Sequence, residues 1–418
     1  MAQLSDDCFA FGGSLLPIDE VERILRERVK PVAEIETVPL AAAHGRVMAS
    51  DVAAPIDLPP FDNSAVDGYA VRAADLARDG ETRLKVGGRV TAGRAAPALD
   101  AGEAVRIFTG APMPPGADTV FMQEDVRRDG DTVVVPAGLA LGANRRLAGE
   151  DARAGTVVLP GGRRLSPQDV ALAAAVGLTE LPVRRRIRVA ILSTGDEIIE
   201  PGGARPAAAL FDANRYLLEG LLSRVGAQAS DLGILPDDPA RLIEAISAAA
   251  AGHDLVLTSG GVSTGEADHV RQAVESIGRL VFWRVAVKPG RPVAMGVILK
   301  GGAAFVGLPG NPVAVFVTFA RVVRPLIACL AGETAAPLVP LPVRATFPYR
   351  KRKGRREYVR VALHRAADGV IEAAKHPQDG AGVITSLTET DGLVELLEDT
   401  TRIEPGDSVG FLSYAALT

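Results

Sequence analysis

Between Ile187 and Gly332, strand-like apolar runs alternate with helix-like segments, and this alternation restricts the fold more than any other feature of the chain. The strand-like runs are IRVAILS, SDLGILP, DLVLTSG and AFVGLPG. Helical patterns cover 213–225, 238–251 and 268–277, and a last helix runs from about Asn311 to Leu330. Parallel strands need a crossover of this kind, so the order predicts a parallel sheet with helices on both faces. Ligands of such sheets bind beyond the carboxyl ends of the strands.

The remaining sequence frames that unit, because 418 residues are too many for one core. Asp19 to Val29 reads as a helix with Val21, Ile24, Leu25 and Val29 on one face. From about Val38 to Val158 the runs LKVGGRV, AVRIFTG, TVFMQEDV and TVVVP are punctuated by Pro and Gly, the pattern of a mostly β module. Ser166-Pro167-Gln168-Asp169 offers an N-cap, a proline for the first turn and an acid in capping-box position, so an Ala-rich helix is predicted to about Val176. A basic stretch, Arg184 to Arg188, then leads into the alternating unit. After Gly332, PLVPLPV marks a linker. The runs YVRVALH and LVELLED, with Asp-Gly pairs at 368–369, 379–380 and 391–392, predict a small terminal barrel or sandwich.

Lys+Arg 46 against Asp+Glu 51 gives a net charge of -5, which argues against a dedicated nucleic-acid binder. Cys8 and Cys329 stand far apart and outside any metal spacing, as expected of reduced cysteines in a cytoplasmic protein. The start MAQLSDDCFAFGG lacks the basic and long apolar regions of a signal peptide. The most apolar segment, Val313 to Ala320, runs into Arg321 and is too short to span a bilayer.

The chemistry concentrates in loops at predicted strand ends. In DLVLTSGGVSTGEAD, at 254–268, the glycines let backbone N–H groups close on an anion, and Glu266 and Asp268 suit a hard cation. Gly261–Gly265 also matches the GxSxG elbow of serine hydrolases. That reading lacks a suitable base, since His269 is too close in sequence and His364 and His376 fall in the β tail. Ser193-Thr194-Gly195-Asp196-Glu197 is a second hydroxyl–Gly–carboxylate turn, and the two loops can face one crevice. Lys288-Pro289-Gly290-Arg291-Pro292 sets two cations around a rigid turn, as an oxyanion clamp or a solvated bend would. In Gly307–Pro312, Asn311 can cap a helix that starts at Pro312, and the free N–H groups there would favour an anion. Two turn-rich polar loops, PPFDNSAVDGYA at Pro59–Ala70 and TGAPMPPGAD at Thr109–Asp118, stand out in the N-terminal half. The basic run YRKRKGRR, Tyr349 to Arg356, fits a charged hairpin on an exposed edge strand better than a contact with nucleic acid or an anionic ligand. Walker A and GxGxxG loops are absent from the sequence.

Taken together, PPFDNSAVDGYAVR, TGAPMPPGADTV, GED at 149–151, LSTGDEI, LTSGGVSTGEADHV, VKPGRPVAMG and GLPGNPVAVFV resemble, in order, the motifs of the molybdopterin molybdenumtransferase family, the MoeA proteins and the E domain of gephyrin. The matching segments span Pro59 to Val317. The resemblance implies a multidomain α/β and β fold. A doubly wound α/β molybdopterin-binding domain (185–333) would be flanked by a β domain inserted at 55–148, a discontinuous linking domain (1–54 and 149–184) and a C-terminal β-barrel domain (334–418). It further implies a homodimer whose active site lies in the α/β cleft near the partner's inserted domain. The implied reaction places molybdate in the dithiolene of adenylylated molybdopterin, with Mg2+ and release of AMP. On this resemblance Glu197, Asp237 and Asp268 are metal ligands, Glu197 and Asp268 being catalytic as well. Gly260, Gly261, Ser263 and the Pro309, Gly310, Asn311, Pro312 loop bind the substrate's phosphates. Lys288 and Arg291 hold molybdate together with Ser386, and Arg291 stands where the family commonly has lysine, so bidentate contact replaces a point charge. Asp67, Thr109 and Asp151 match catalytic positions, the first two completing the site across the dimer. The implied partners are adenylylated molybdopterin, molybdate, other cofactor-biosynthesis proteins and molybdoenzymes, with no nucleic acid and no membrane.

Two other functions compete. A non-catalytic scaffold would not need Glu197, Asp237, Asp268, Lys288 and Arg291 together, and all are present. An adenylyltransferase acting on molybdopterin would resemble the α/β unit alone, without the flanking segments.

Overall fold

The computed structural model describes residues 15–260 and 269–418, with the side chains of 281–284 outside that description. The alternating stretch forms a six-stranded sheet in the order Gln228–Leu235, Arg188–Thr194, Leu255–Ser259, Ala304–Leu308, Pro292–Ile298, Gly278–Arg284. The first four are parallel, with pairs such as Ile191 to Leu257 and Leu257 to Val306. One edge departs from the parallel expectation, because Pro292–Ile298 runs antiparallel to both neighbours. A short reversal causes this: Ile298 N–H donates to Ala303 O and Gly302 N–H to Ile298 O, and a hairpin can join only antiparallel strands.

Side-chain alternation along the central strand builds two cores. Val189 and Ile191 pack with the helices Asn214–Arg224 and Pro312–Leu330, whereas Ala190 and Leu192 pack with Pro239–Gly252 and His269–Ile277. The helix Pro312–Leu330 is α to Thr318, π over Phe319–Val323 and α again from Arg324. Pro325 offers no N–H to the carbonyl of Arg321 and would clash with it in a regular turn, so the wider π turn relieves the conflict. This helix is long and apolar enough to cross a bilayer, but 83% of its most apolar window is buried inside the fold, which makes it the central core helix.

The caps show where local chemistry prevails. Asp169 N–H donates to Ser166 Oγ, and the Asp169 carboxylate accepts from Ser166 N–H at 2.8 Å, the expected capping box. Asn311 occupies the N-cap position but makes no side-chain cap bond. Tertiary structure has replaced that bond, since Ala381 O of the terminal region accepts the Val313 N–H at 3.0 Å.

Ile35–Pro39 pairs with Glu180–Arg184, which also pairs with Val47–Met48, so distant segments share one small sheet. Between them, Gly68–Val71, Glu81–Val90, Glu103–Ile107, Thr119–Met122, Arg127–Asp129 and Thr132–Pro136 form a second six-stranded sheet. In the terminal region Arg356–Arg365, Ile371–Lys375, Leu341–Ala345, Ser408–Ser413 and Gly392–Leu396 pair in a ring that closes on itself, a five-stranded barrel. Val361, Val394 and Phe411 fill it. Asp368-Gly369 is a hairpin turn as its sequence suggests, but Gly392 lies inside a strand, where a Cβ would come within 2.2 Å of Leu412 O. Val287–Lys288 pairs with Arg356–Glu357 and stitches the barrel to the α/β unit.

Candidate functional site

Strand direction gathers the candidate loops on one edge of the sheet. Four parallel strands end there, and the antiparallel Pro292–Ile298 begins there, bringing Lys288 to Pro292 alongside. The order along the edge is Asp237, Glu197, Gly260, Pro309 to Asn311, then Arg291 and Lys288. From the Gln228–Leu235 strand to Pro292 there are four strand spacings, roughly 19 Å. The chain leaves Arg188–Thr194 for the neighbour on one side and returns on the other, so the crevice of a doubly wound sheet opens between Thr194 and Gly260.

The carboxylate end is tightly folded. Thr194 Oγ1 donates to Asp237 Oδ1, and Asp237 N–H reaches Asp196 Oδ1 at 3.4 Å. Glu197 is exposed and its carboxylate curls over Gly195, whose φ of 138° and lack of a side chain permit that approach. Gly260, at φ 92°, lies against Thr194 O, where a Cβ would come within 2.7 Å. Its N–H donates to Leu308 O at 3.1 Å, which ties three strand ends together. Gly261, Ser263, Glu266 and Asp268 lie outside the described residues. Among the described residues, no three His, Cys, Asp or Glu side chains form a group that could hold a metal ion.

Asn214, which the sequence reading missed, braces this edge. Its Nδ2 donates to Ser259 Oγ and Gly310 O at 2.8 Å each, and its Oδ1 is buried without a partner among the described residues. The available signal was Asp212, two residues earlier, whose carboxylate accepts the Asn214 N–H and so starts the helix.

The other end of the edge is cationic. A cavity of about 360 Å³ lies between the edge and the barrel, and Lys288, Arg291, Pro309, Asn311, Arg360 and His376 are among its lining residues. Both cations of the Lys288–Pro292 turn therefore face one space. Gly290 makes the turn possible: at φ 106° it lies against the core helix, where a Cβ would come within 2.6 Å of Thr318 Oγ1. Arg291 is exposed and its side chain forms no hydrogen bond or ion pair among the described residues. Lys288 Nζ lies 5.9 Å from the Tyr349 ring centre and 3.3 Å from Glu357 Oε2. Burial would raise the Glu357 carboxyl, but donors from Tyr349 (2.8 Å) and Arg355 (2.7 Å), with the charges of Lys288 and Arg355, hold it below the usual range.

Arg360 is the second residue missed. It is buried, donates through Nη2 to Gln378 O at 2.7 Å, and leaves Nε without a partner among the described residues. Burial pushes its pKa down, but a guanidinium stays charged. In sequence it is one polar position in YVRVALH, and only barrel closure turns it into a cavity wall. Ser386 is not brought there: it is fully buried, is not among the residues lining the cavity, and donates to Val383 O at 2.5 Å.

Asp67 and Thr109 do meet. Asp67 Oδ1 accepts from the Thr109 N–H and hydroxyl, both at 2.8 Å, and these bonds hold its carboxyl below the usual range. Asp151 is exposed, with its N–H donated to Leu58 O at 3.0 Å. These bonds stay within the N-terminal half of the chain.

Family models match in series along the chain: the MoeA N-terminal region (domain I and II) over residues 16–177, a probable molybdopterin binding domain over 190–328, and the MoeA C-terminal region (domain IV) over 342–414. The molybdopterin molybdenumtransferase of Haemophilus influenzae is 36% identical over 398 residues, 94% of this chain and 98% of that one. The Nostoc protein of the same name is 37% identical over 384 residues, 90% of this chain and 88% of that one. The crystal structure of the molybdopterin biosynthesis MoeA protein of Pyrococcus horikoshii superposes with a TM-score of 0.80 at 31% identity, covering 96% of this chain and all of that one (100%). A strand edge with carboxylates at one end and a cationic cavity at the other thus sits in a chain that belongs to the molybdopterin molybdenumtransferase (MoeA) family.

Proposed function

We propose that this protein acts in molybdenum cofactor biosynthesis, inserting molybdate into adenylylated molybdopterin with release of AMP. The observation that carries this reading is the division of one edge, roughly 19 Å from its first strand to Pro292, into a carboxylate end and a cationic cavity. Adenylylated molybdopterin is elongated, with its nucleotide at one end, its pterin and dithiolene at the other and the pyrophosphate between, so it can lie along this edge. Lys288, Arg291 and Arg360 face the dianionic molybdate, and their charge offsets its repulsion from the incoming thiolates. Burial strengthens the Arg360 contribution, because its field is poorly screened there.

Glu197 and Asp237, together with Asp268 outside the described residues, would be the oxygen donors for Mg2+, residue types chemically suited to that ion. An ion held by these carboxylates would supply positive charge against the pyrophosphate. Gly260 and the turn Pro309, Gly310, Asn311, Pro312 offer backbone to the phosphates, Gly261 and Ser263 are assigned to the same phosphates, and Asn214 keeps Ser259 and Gly310 in register. Asp67 and Thr109 form a preassembled pair that is not among the residues lining the cationic cavity of their own chain, which supports a role in a partner's cleft within a homodimer. Asp151, exposed beside Leu58, is assigned a catalytic role with them. The domain limits 1–54 with 149–184, 55–148, 185–333 and 334–418 are part of this reading. The pairing of Ile35–Pro39 with Glu180–Arg184 supports the discontinuous linking domain.

The test is an assay of the purified full chain with adenylylated molybdopterin, Mg2+ and molybdate. AMP release that depends on molybdate is expected, and a Lys288→Ala/Arg291→Ala variant should lose that dependence. Consumption of ATP with unmodified molybdopterin would instead indicate an adenylyltransferase, and neither activity would leave a scaffold.

A further inference from the structure

A second cavity lies toward the other end of the core helix, with about 620 Å³ against about 360 Å³ for the first. Ala314 lines the first cavity and Ala328 the second, so about 20 Å of helix separates them. The second cavity gathers arginines from segments far apart in sequence: Arg26 on the N-terminal helix, Arg164 before the capping box, and Arg224 and Arg324 on helices of the α/β unit. Its acidic groups are Glu22, Glu333 and any carboxylate at Thr418. Glu22 is engaged by Arg321 at 2.9 Å and by Arg26 at 3.3 Å, and Glu333 by Arg164 at 2.5 Å.

The side chains of Arg224 and Arg324 therefore remain, with no hydrogen bond or ion pair among the described residues, although the charges of Glu333 and Glu22 reach Arg324 through space. Arg324 is half-buried and follows directly on the π turn. A cation withdrawn from water without an acceptor is costly, and a bidentate oxyanion would remove that cost. Apolar wall is supplied by Val29 and Ala328. The volume falls in the range of small-molecule sites.

We propose that this cavity is a second ligand site that takes a phosphomonoester carrying an apolar ring, with its phosphate against Arg224 and Arg324. The assignment does not depend on the activity at the strand edge. Cys329 lines the same cavity and provides a local probe, as burial pushes its thiol up to about 11 and makes alkylation slow enough to time.

The full chain would be treated with N-ethylmaleimide and the label at Cys329 followed by peptide mass spectrometry, with AMP as probe and adenosine as the uncharged control. At an AMP concentration four times the dissociation constant, labelling should slow about fivefold. Adenosine should have no effect. The protection should persist in Arg291→Ala, which alters only the first cavity, and fall in both Arg324→Gln and Arg224→Gln. Arg224 is exposed, so its variant guards against a folding defect at Arg324. Unchanged labelling at saturating AMP, equal protection in Arg224→Gln, or protection lost in Arg291→Ala would overturn the proposal.

Discussion

Lys288 and Glu357 meet across the seam between the α/β unit and the barrel, with Nζ 3.3 Å from Oε2. The lysine is about half exposed, whereas only 1% of the glutamate side chain is. A cation that faces the cavity is thus positioned by a carboxylate of the other lobe. The adjacent backbone pairing, Val287–Lys288 with Arg356–Glu357, fixes the register of the contact. Glu357→Gln keeps the shape but removes the charge that Tyr349, Arg355 and Lys288 share. Breaking a buried ionic cluster in this way costs about 3 kcal/mol. A lowered melting temperature is expected, with a rise in KM for molybdate that exceeds any change in kcat. Equal effects on both constants would place Glu357 outside the positioning of Lys288.

Arg360 should show the opposite balance. Its buried guanidinium leaves Nε unpartnered, so Arg360→Met removes a desolvated charge and should leave thermal stability equal or higher. If Arg360 binds the oxyanion as proposed, the same change removes charge-assisted bonds of about 1.5–3 kcal/mol each, so KM for molybdate should rise roughly 10- to 100-fold. Molybdate titration of AMP release, beside a thermal melt, reads both quantities. An unaltered KM would exclude Arg360 from the molybdate site.

The Asp67–Thr109 pair leads to a test of shared sites. If each cleft is completed by a neighbouring chain, Asp67→Asn and Lys288→Ala variants fail for different reasons. Mixed and refolded together, they should regain roughly a quarter of the wild-type activity, because half of randomly assorted dimers hold one intact cleft. Recovery absent from such a mixture, with heterodimers verified by mass, would show that one chain supplies the whole site.

How much of this was legible in the sequence depended on whether the signal was local. The alternation of periods located the parallel core, and Ser166 with Asp169 specified a cap that formed as written. Glu197, Gly260, Lys288, Arg291 and Asn311 could be found because Gly, Pro and charge coincide at strand ends. Arg360 and Asn214 could not, since each acts through partners distant in sequence: a barrel that closes against the sheet edge, and two strand ends that one amide bridges. The antiparallel edge strand was hidden for a related reason. Its run VAMGVIL looks like any buried strand, and direction is set by the hairpin that follows. Asn311 shows the reverse, a correct local signal whose bond was superseded by Ala381 of the barrel.

Asp254 supplies a prediction in pH. It stands at the entry to the Leu255–Ser259 strand, accepts Arg185 Nη1 and Nη2 at 2.7 and 2.8 Å, and accepts the Arg188 N–H at 2.8 Å. Burial pushes its carboxyl up, but these donors outweigh burial and hold it below the ordinary value. A carboxyl lowered by folding stabilises the native state fully above its unfolded pKa of about 3.9, and that contribution is lost as pH falls through the lower native value. Asp254→Asn should therefore be less stable than the wild type at pH 7, by about 2 kcal/mol for the lost charge-assisted bonds. The gap should hold down to about pH 5 and then narrow as the wild-type carboxylate takes up its proton. Urea denaturation of both proteins at pH 7, 5 and 3, three test values spanning the carboxylate range of about 3 to 5, follows the gap directly. A difference that stayed constant across that series would mean that the Arg185 pair contributes through shape alone and that its charge is fully screened.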